Sequence, residues 1–140
     1  MERLLNIPCD PSQPSALNLA FVGDTVFDLF VRESLVCGAN RPVKKQHTLA
    51  SSRVKAAAQA KAAKVLLEHL TPEETDQFRR GRNAHTNHKA KNATESDYHF
   101  ATGLETVFGW LYLRGELDRL RALFSLLENA WEKGDNTYEL

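Results

Sequence analysis

The chain has 140 residues, 18 Lys and Arg against 18 Asp and Glu, and 42% hydrophobic residues. Those values fit one globular domain and exclude collagen-like, low-complexity and disulfide-stapled chains; the two cysteines, Cys9 and Cys37, form neither a disulfide framework nor a CxxC metal site. No apolar run approaches the roughly 18 residues of a membrane span, and the first five residues lack a secretion-signal pattern, so no membrane partner and a cytoplasmic location are expected.

Pro8, Pro11 and Pro14 mark residues 1–14 as an extended N-terminal arm, with residues 15–140 as the folded domain. Ser15 is placed to cap a strongly apolar helix over residues 16–36, and Gly38 is a plausible stop. Pro42 opens a helical region to about Leu70, with a break expected near Ser51 and Ser52. Residues 55–63 are rich in alanine, which favours helix and permits a close helix approach. Thr71-Pro72-Glu73-Glu74 combines a capping threonine, proline in the first turn and a glutamate three residues on, which starts a helix ending at Arg82 or Ala84. Residues 83–95 are polar, basic and rich in Asn, His and Thr, and read as a loop. Thr94 or Ser96 then caps a helix to about Arg114, Gly115 punctuates, and residues 116–133 form a last amphipathic helix with leucines and Phe124 at three- and four-residue steps. Period-two alternation and β-branched runs are absent, so the fold class is all-α.

The zero net charge hides a strong asymmetry. Residues 34–67 hold seven basic residues and no acid, and residues 77–94 hold five more (Arg79, Arg80, Arg82, Lys89 and Lys91) and again no acid. From residue 95 onward nine acids face four Lys or Arg. A basic middle points to a polyanion-binding surface, whereas solvated helix faces alone leave the missing acids unexplained.

Two carboxylates stand out against apolar helices. Asp24 lies four residues after Ala20 and three from both Phe21 and Phe27, which places it on an apolar face. Asp28 has Arg32 one turn on as a partner, but the residue one turn after Asp24 is Asp28 itself. Glu105 is four residues after Ala101 and three before Phe108. Burying an ionised carboxylate is costly without a compensating cation or hydrogen bonds. A shared divalent ion is one solution, and oxygen ligands suit Mg²⁺ or Mn²⁺; a half-exposed rim position or a buried arginine partner is the ordinary alternative. Gly23 and Gly109 sit inside these helices, where glycine costs roughly 1 kcal/mol and marks a close contact. His85 and His88 lack the further ligands a zinc site needs.

Leu19-Ala-Phe-Val-Gly-Asp-Thr-Val-Phe-Asp-Leu-Phe-Val31 resembles the ribonuclease III signature, an apolar helix with a central Gly-Asp. Ala101-Thr-Gly-Leu-Glu-Thr-Val-Phe-Gly-Trp-Leu-Tyr-Leu113 resembles the second acidic motif of that family. Between them, Arg79-Arg-Gly-Arg-Asn-Ala84 followed by Lys91-Asn92 is similar to the basic segment of mini-ribonuclease III, the subfamily without a separate RNA-binding domain. The resemblance covers residues 16–127. It departs from larger ribonuclease III enzymes at Leu17, Ala20 and Thr102, where those enzymes carry further acids, as the subfamily does.

The resemblance implies a ribonuclease III endonuclease-domain fold, assembled as a homodimeric helical bundle. It implies a metal-dependent endoribonuclease that hydrolyses double-stranded RNA and leaves 5′-phosphate ends. Asp24 and Glu105 map onto the catalytic, metal-binding carboxylates, with Mg²⁺ as cofactor and Mn²⁺ able to substitute. Arg79, Arg80, Arg82, Lys89 and Lys91 are the expected RNA contacts, because double-stranded RNA is read by shape and phosphate. The implied cellular substrate is the precursor of large-subunit (23S) ribosomal RNA, with a large-subunit ribosomal protein as a possible helper. A non-catalytic RNA-binding or ribosome-associated protein on the same fold is the competing expectation.

Overall fold

A computed structural model describes residues 3–84 and 94–134. Six α-helices occur among the described residues: α1 (Ala16–Gly38), α2 (Val43–Val54), α3 (Ala56–Leu66), α4 (Pro72–Arg82), α5 (Glu95–Leu113) and α6 (Leu117–Gly134). No strand occurs among them.

The helix ends follow local chemistry. Ser15 accepts from the Asn18 amide at 3.1 Å and starts α1. Thr71 and Glu74 form a complete capping box at α4, with Pro72 in the first turn. Thr94, rather than Ser96, caps α5 by accepting from the Asp97 amide. Gly115 adopts φ 75° between α5 and α6, a left-handed conformation that glycine takes without strain. The break in the second helical region falls at Lys55, which is extended and ends α2 while opening α3. It lies a few residues after the serine pair because α2 rests on α1 and α3 rests on α5, so the chain turns where it changes partner.

Helix α5 is the centre of the fold, packed by α1, α3 and α4, with α6 at its end. Between residues 101 and 111, every α5 residue except Glu105 is buried. Small residues permit that density. A Cβ on Gly23 would fall 1.7 Å from the Glu105 carbonyl oxygen, and one on Gly109 would fall 1.9 Å from the Leu19 carbonyl oxygen. Backbones of α1 and α5 therefore touch, and neither position has room for a side chain. Gly81 of α4 meets Thr106 of α5 in a similar way. Beyond the crossing, Phe27 packs edge-on against Phe108 at 5.3 Å between ring centroids, and Phe124 continues the cluster to Trp131.

One ion pair is built into this core. Glu74 is 3% exposed, completes the α4 cap and receives two hydrogen bonds from the Arg119 guanidinium, both 2.9 Å. Burial pushes the Glu74 carboxyl up, but Arg119 and the Thr71 amide outweigh it and leave the pKa below the ordinary value. Its stabilising contribution is therefore present above the unfolded carboxyl range and is lost as pH falls through the depressed value. Replacing Arg119 with alanine should cost about 1–3 kcal/mol at pH 7 by stranding Glu74. Urea titrations at pH 7 and below pH 4 should show that difference narrowing in acid.

Candidate active site

The crossing of α1 and α5 builds the site. Gly23 lies directly over the Glu105 carbonyl oxygen, and the next residue of α1 is Asp24. Asp24 and Glu105 are thereby brought together, their carboxyl groups within reach of each other. Asp24 is exposed, whereas Glu105 is partly buried beneath it. Burial pushes the Glu105 pKa up to about 9, reinforced by the negative charge of Asp24 and the hydrogen bond to it. The side-chain amide of Gln59, reaching from α3, acts in the opposite direction by donating to the carboxylate.

The exposed position of Asp24 differs from the buried setting expected of its apolar helix face. Phe27, three residues on, is fully buried, but Phe21, three residues back, is 79% exposed. Asp24 thus stands on the seam between the core face of α1 and an outward apolar face, open to solvent.

Two carboxylates that repel each other are a receptive site for a hard cation, whose charge would favour ionised Glu105. The donor chemistry fits Mg²⁺ or Mn²⁺, which keep several waters when few protein ligands are offered. Among the described residues no group of three or more His, Cys, Asp or Glu is arranged to hold a metal. The positions that carry extra acids in larger enzymes add no donor here: Ala20 is buried, Leu17 is aliphatic, and the Thr102 hydroxyl donates to the Tyr98 carbonyl at 2.9 Å. Gln59 stands out little in the residue pattern. Its signal was faint, a polar side chain on the small-residue face of an alanine-rich helix.

The basic residues divide. Arg79, Arg80 and Arg82 belong to the last turn of α4, which ends at Arg82 as its sequence pattern led one to expect. Arg79 and Arg80 are exposed; Arg79 lies 3.6 Å from Asp76, and Arg80 donates to Gln77 at 2.8 Å and to the Pro14 carbonyl at 3.4 Å. Arg82 donates to the Asn83 side chain at 3.3 Å. These arginines do not contact the carboxylates. They sit by the start of α1, and Ala16 to Asp24 spans about 12 Å of helix. Lys89 and Lys91, like His85 and His88, lie outside the described residues.

Helix α1 also presents an apolar surface to solvent. Phe21 and Leu29 are exposed, and with Val22, Val26, Leu4 and Tyr112 they line a groove of about 470 Å³. Among the described residues no helix is long and apolar enough to cross a membrane.

Residues 17–116 match the ribonuclease III domain family. The chain is 42% identical over 112 residues to mini-ribonuclease 3 of a Thermoanaerobacter strain, covering 80% of this chain and 79% of that protein. It is 39% identical over 125 residues to mini-ribonuclease 3 of Clostridium tetani, covering 89% and 83%. A crystal structure of a Fusobacterium nucleatum protein shares the fold with a TM-score of 0.78 at 22% identity, over 85% of this chain and 98% of that one. The chain belongs to the ribonuclease III family of endoribonucleases.

Proposed function

We propose that the protein hydrolyses phosphodiester bonds of double-stranded RNA at Asp24 and Glu105, using Mg²⁺ or Mn²⁺. The meeting of these two carboxylates at the α1–α5 crossing is the observation that carries the reading. A divalent ion bound there would supply an activated water and neutralise charge developing on the attacked phosphate, leaving a 5′-phosphate and a 3′-hydroxyl. Asp24, being exposed, faces the RNA backbone. Glu105 would support it from the partly buried side as the second carboxylate holding the ion. Arg79, Arg80 and Arg82 extend the site along the duplex as phosphate contacts, joined by Lys89 and Lys91.

A second copy of the chain covers the outward face of α1 in this proposal. Exposed Phe21 and Leu29 beside a groove favour an apolar partner, and two copies would offer one carboxylate pair to each strand. Residues 15–140 form the catalytic unit and residues 1–14 an arm. The cellular reading is maturation of the 23S ribosomal RNA precursor in the cytoplasm, assisted by a large-subunit ribosomal protein.

Cleavage of long double-stranded RNA with Mg²⁺ or Mn²⁺ should fall at least about 100-fold in Asp24→Asn and in Glu105→Gln, a loss in the range of removed transition-state contacts. Filter binding should show both variants still holding RNA in a salt-dependent way. Alanine at Arg79, Arg80 and Arg82 together should instead weaken binding and flatten its salt slope. Persistent cleavage by both carboxylate variants would overturn the site.

The raised Glu105 pKa has a thermodynamic consequence. Its unfolded value is near 4.5 and its folded value near 9, so the folded state holds the extra proton between them. This contribution is fully present below the unfolded value and is lost as pH rises through the folded one, by up to about 1.4 kcal/mol per pH unit. In chelator, the melting temperature should decline from pH 5 to pH 9 more steeply for the native chain than for Glu105→Gln. Equal slopes would contradict the buried-acid account.

A further inference from the structure

Four polar or charged side chains are buried among the described residues: Gln59, Glu74, Thr102 and Thr106. Three have evident structural roles. Glu74 caps α4 and pairs with Arg119. Thr102 and Thr106 each return a hydroxyl to a carbonyl one turn back, at 2.9 and 2.7 Å. Gln59 is different. It is 2% exposed on a helix whose other buried residues are alanines and one leucine, and its amide is directed to the Glu105 carboxylate. A buried primary amide costs free energy unless it is hydrogen-bonded, so an apolar residue would serve the packing of α3 at least as well. The residue therefore belongs to the site rather than to the core.

Geometry also limits what Gln59 does. It is too deeply buried to reach an RNA strand, so it acts through another group. Glu105 is contacted from α1 by Asp24 and from α3 by Gln59. With aliphatic or committed side chains at Leu17, Ala20 and Thr102, few oxygen donors remain, and the orientation of each matters more.

We propose that Gln59 is a positioning residue for the RNA-cleaving site: its buried amide donates to the Glu105 carboxylate and holds it in the orientation that, with Asp24, receives a divalent cation. This rests on the reading of Asp24 and Glu105 as metal ligands.

The test is a Mn²⁺ titration of the full chain, read by the paramagnetic resonance of free Mn²⁺ and, separately, by cleavage of double-stranded RNA. Gln59→Met keeps the length of the side chain and removes the donor. It should weaken Mn²⁺ binding and raise the Mn²⁺ needed for half-maximal cleavage by about 10-fold or more, the usual effect of losing a supporting hydrogen bond. Saturating Mn²⁺ should recover most of kcat, with KM for RNA unchanged. Native Mn²⁺ affinity in folded Gln59→Met, alongside lost affinity in Glu105→Gln, overturns the role of Gln59 and leaves the ligand reading intact. If Gln59→Met does not fold, Gln59→Asn replaces it: the withdrawn amide should weaken Mn²⁺ binding in the same direction, and native affinity overturns the proposal. Mn²⁺ affinity that survives both Asp24→Asn and Glu105→Gln overturns the ligand reading and this inference with it.

Discussion

Everything at the site depends on two helices touching backbone to backbone. At Gly23 and Gly109, α1 and α5 approach so closely that a single methyl at either position would strike a carbonyl oxygen. Glycine inside a helix costs each of them roughly 1 kcal/mol in propensity. The close approach offsets that cost by letting the helices cross at a fixed point, immediately beside Asp24 and over Glu105. Side chains of any size at the crossing would separate the carboxylates by pushing α1 outward.

The same crossing divides α1 into two faces. Phe27, Val31 and Leu35 enter the core, where Phe27 meets Phe108 and Phe124. Phe21 and Leu29 look outward. Asp24 occupies the seam, while Asp28 forms the one-turn pair with Arg32 at 3.2 Å. A helix with apolar residues on two faces thus serves the core on one side and leaves an exposed apolar face on the other, with Asp24 at the boundary.

Electrostatics then follows from placement. Glu105 is the one residue of the central α5 stretch that is not buried, yet it is enclosed enough for desolvation to dominate its protonation. Asp24 adds repulsion and Gln59 partial relief. Glu74 shows the contrasting outcome in the same fold: its burial is outweighed because a guanidinium and a backbone amide reach it. One carboxylate is satisfied by protein, and the other is left beside a second carboxylate.

Much of this was legible in the residues. Helix starts at Ser15, Thr71 and Thr94 and the turn at Gly115 depend on groups within four residues of one another, which is the range over which caps and propensities act. Asp24 and Glu105 were likewise visible, because a carboxylate within an apolar helix pattern is conspicuous and the flanking glycines announce a close contact. Other features were not written locally. Neither the exposure of Asp24 nor the shift of the α2–α3 break to Lys55 follows from neighbouring residues. The role of Gln59 was hidden for the same reason: its meaning lies in Glu105, which belongs to another helix far along the chain. Periodicity reports which residues share a face of one helix; which face meets which neighbour is settled by packing all six together.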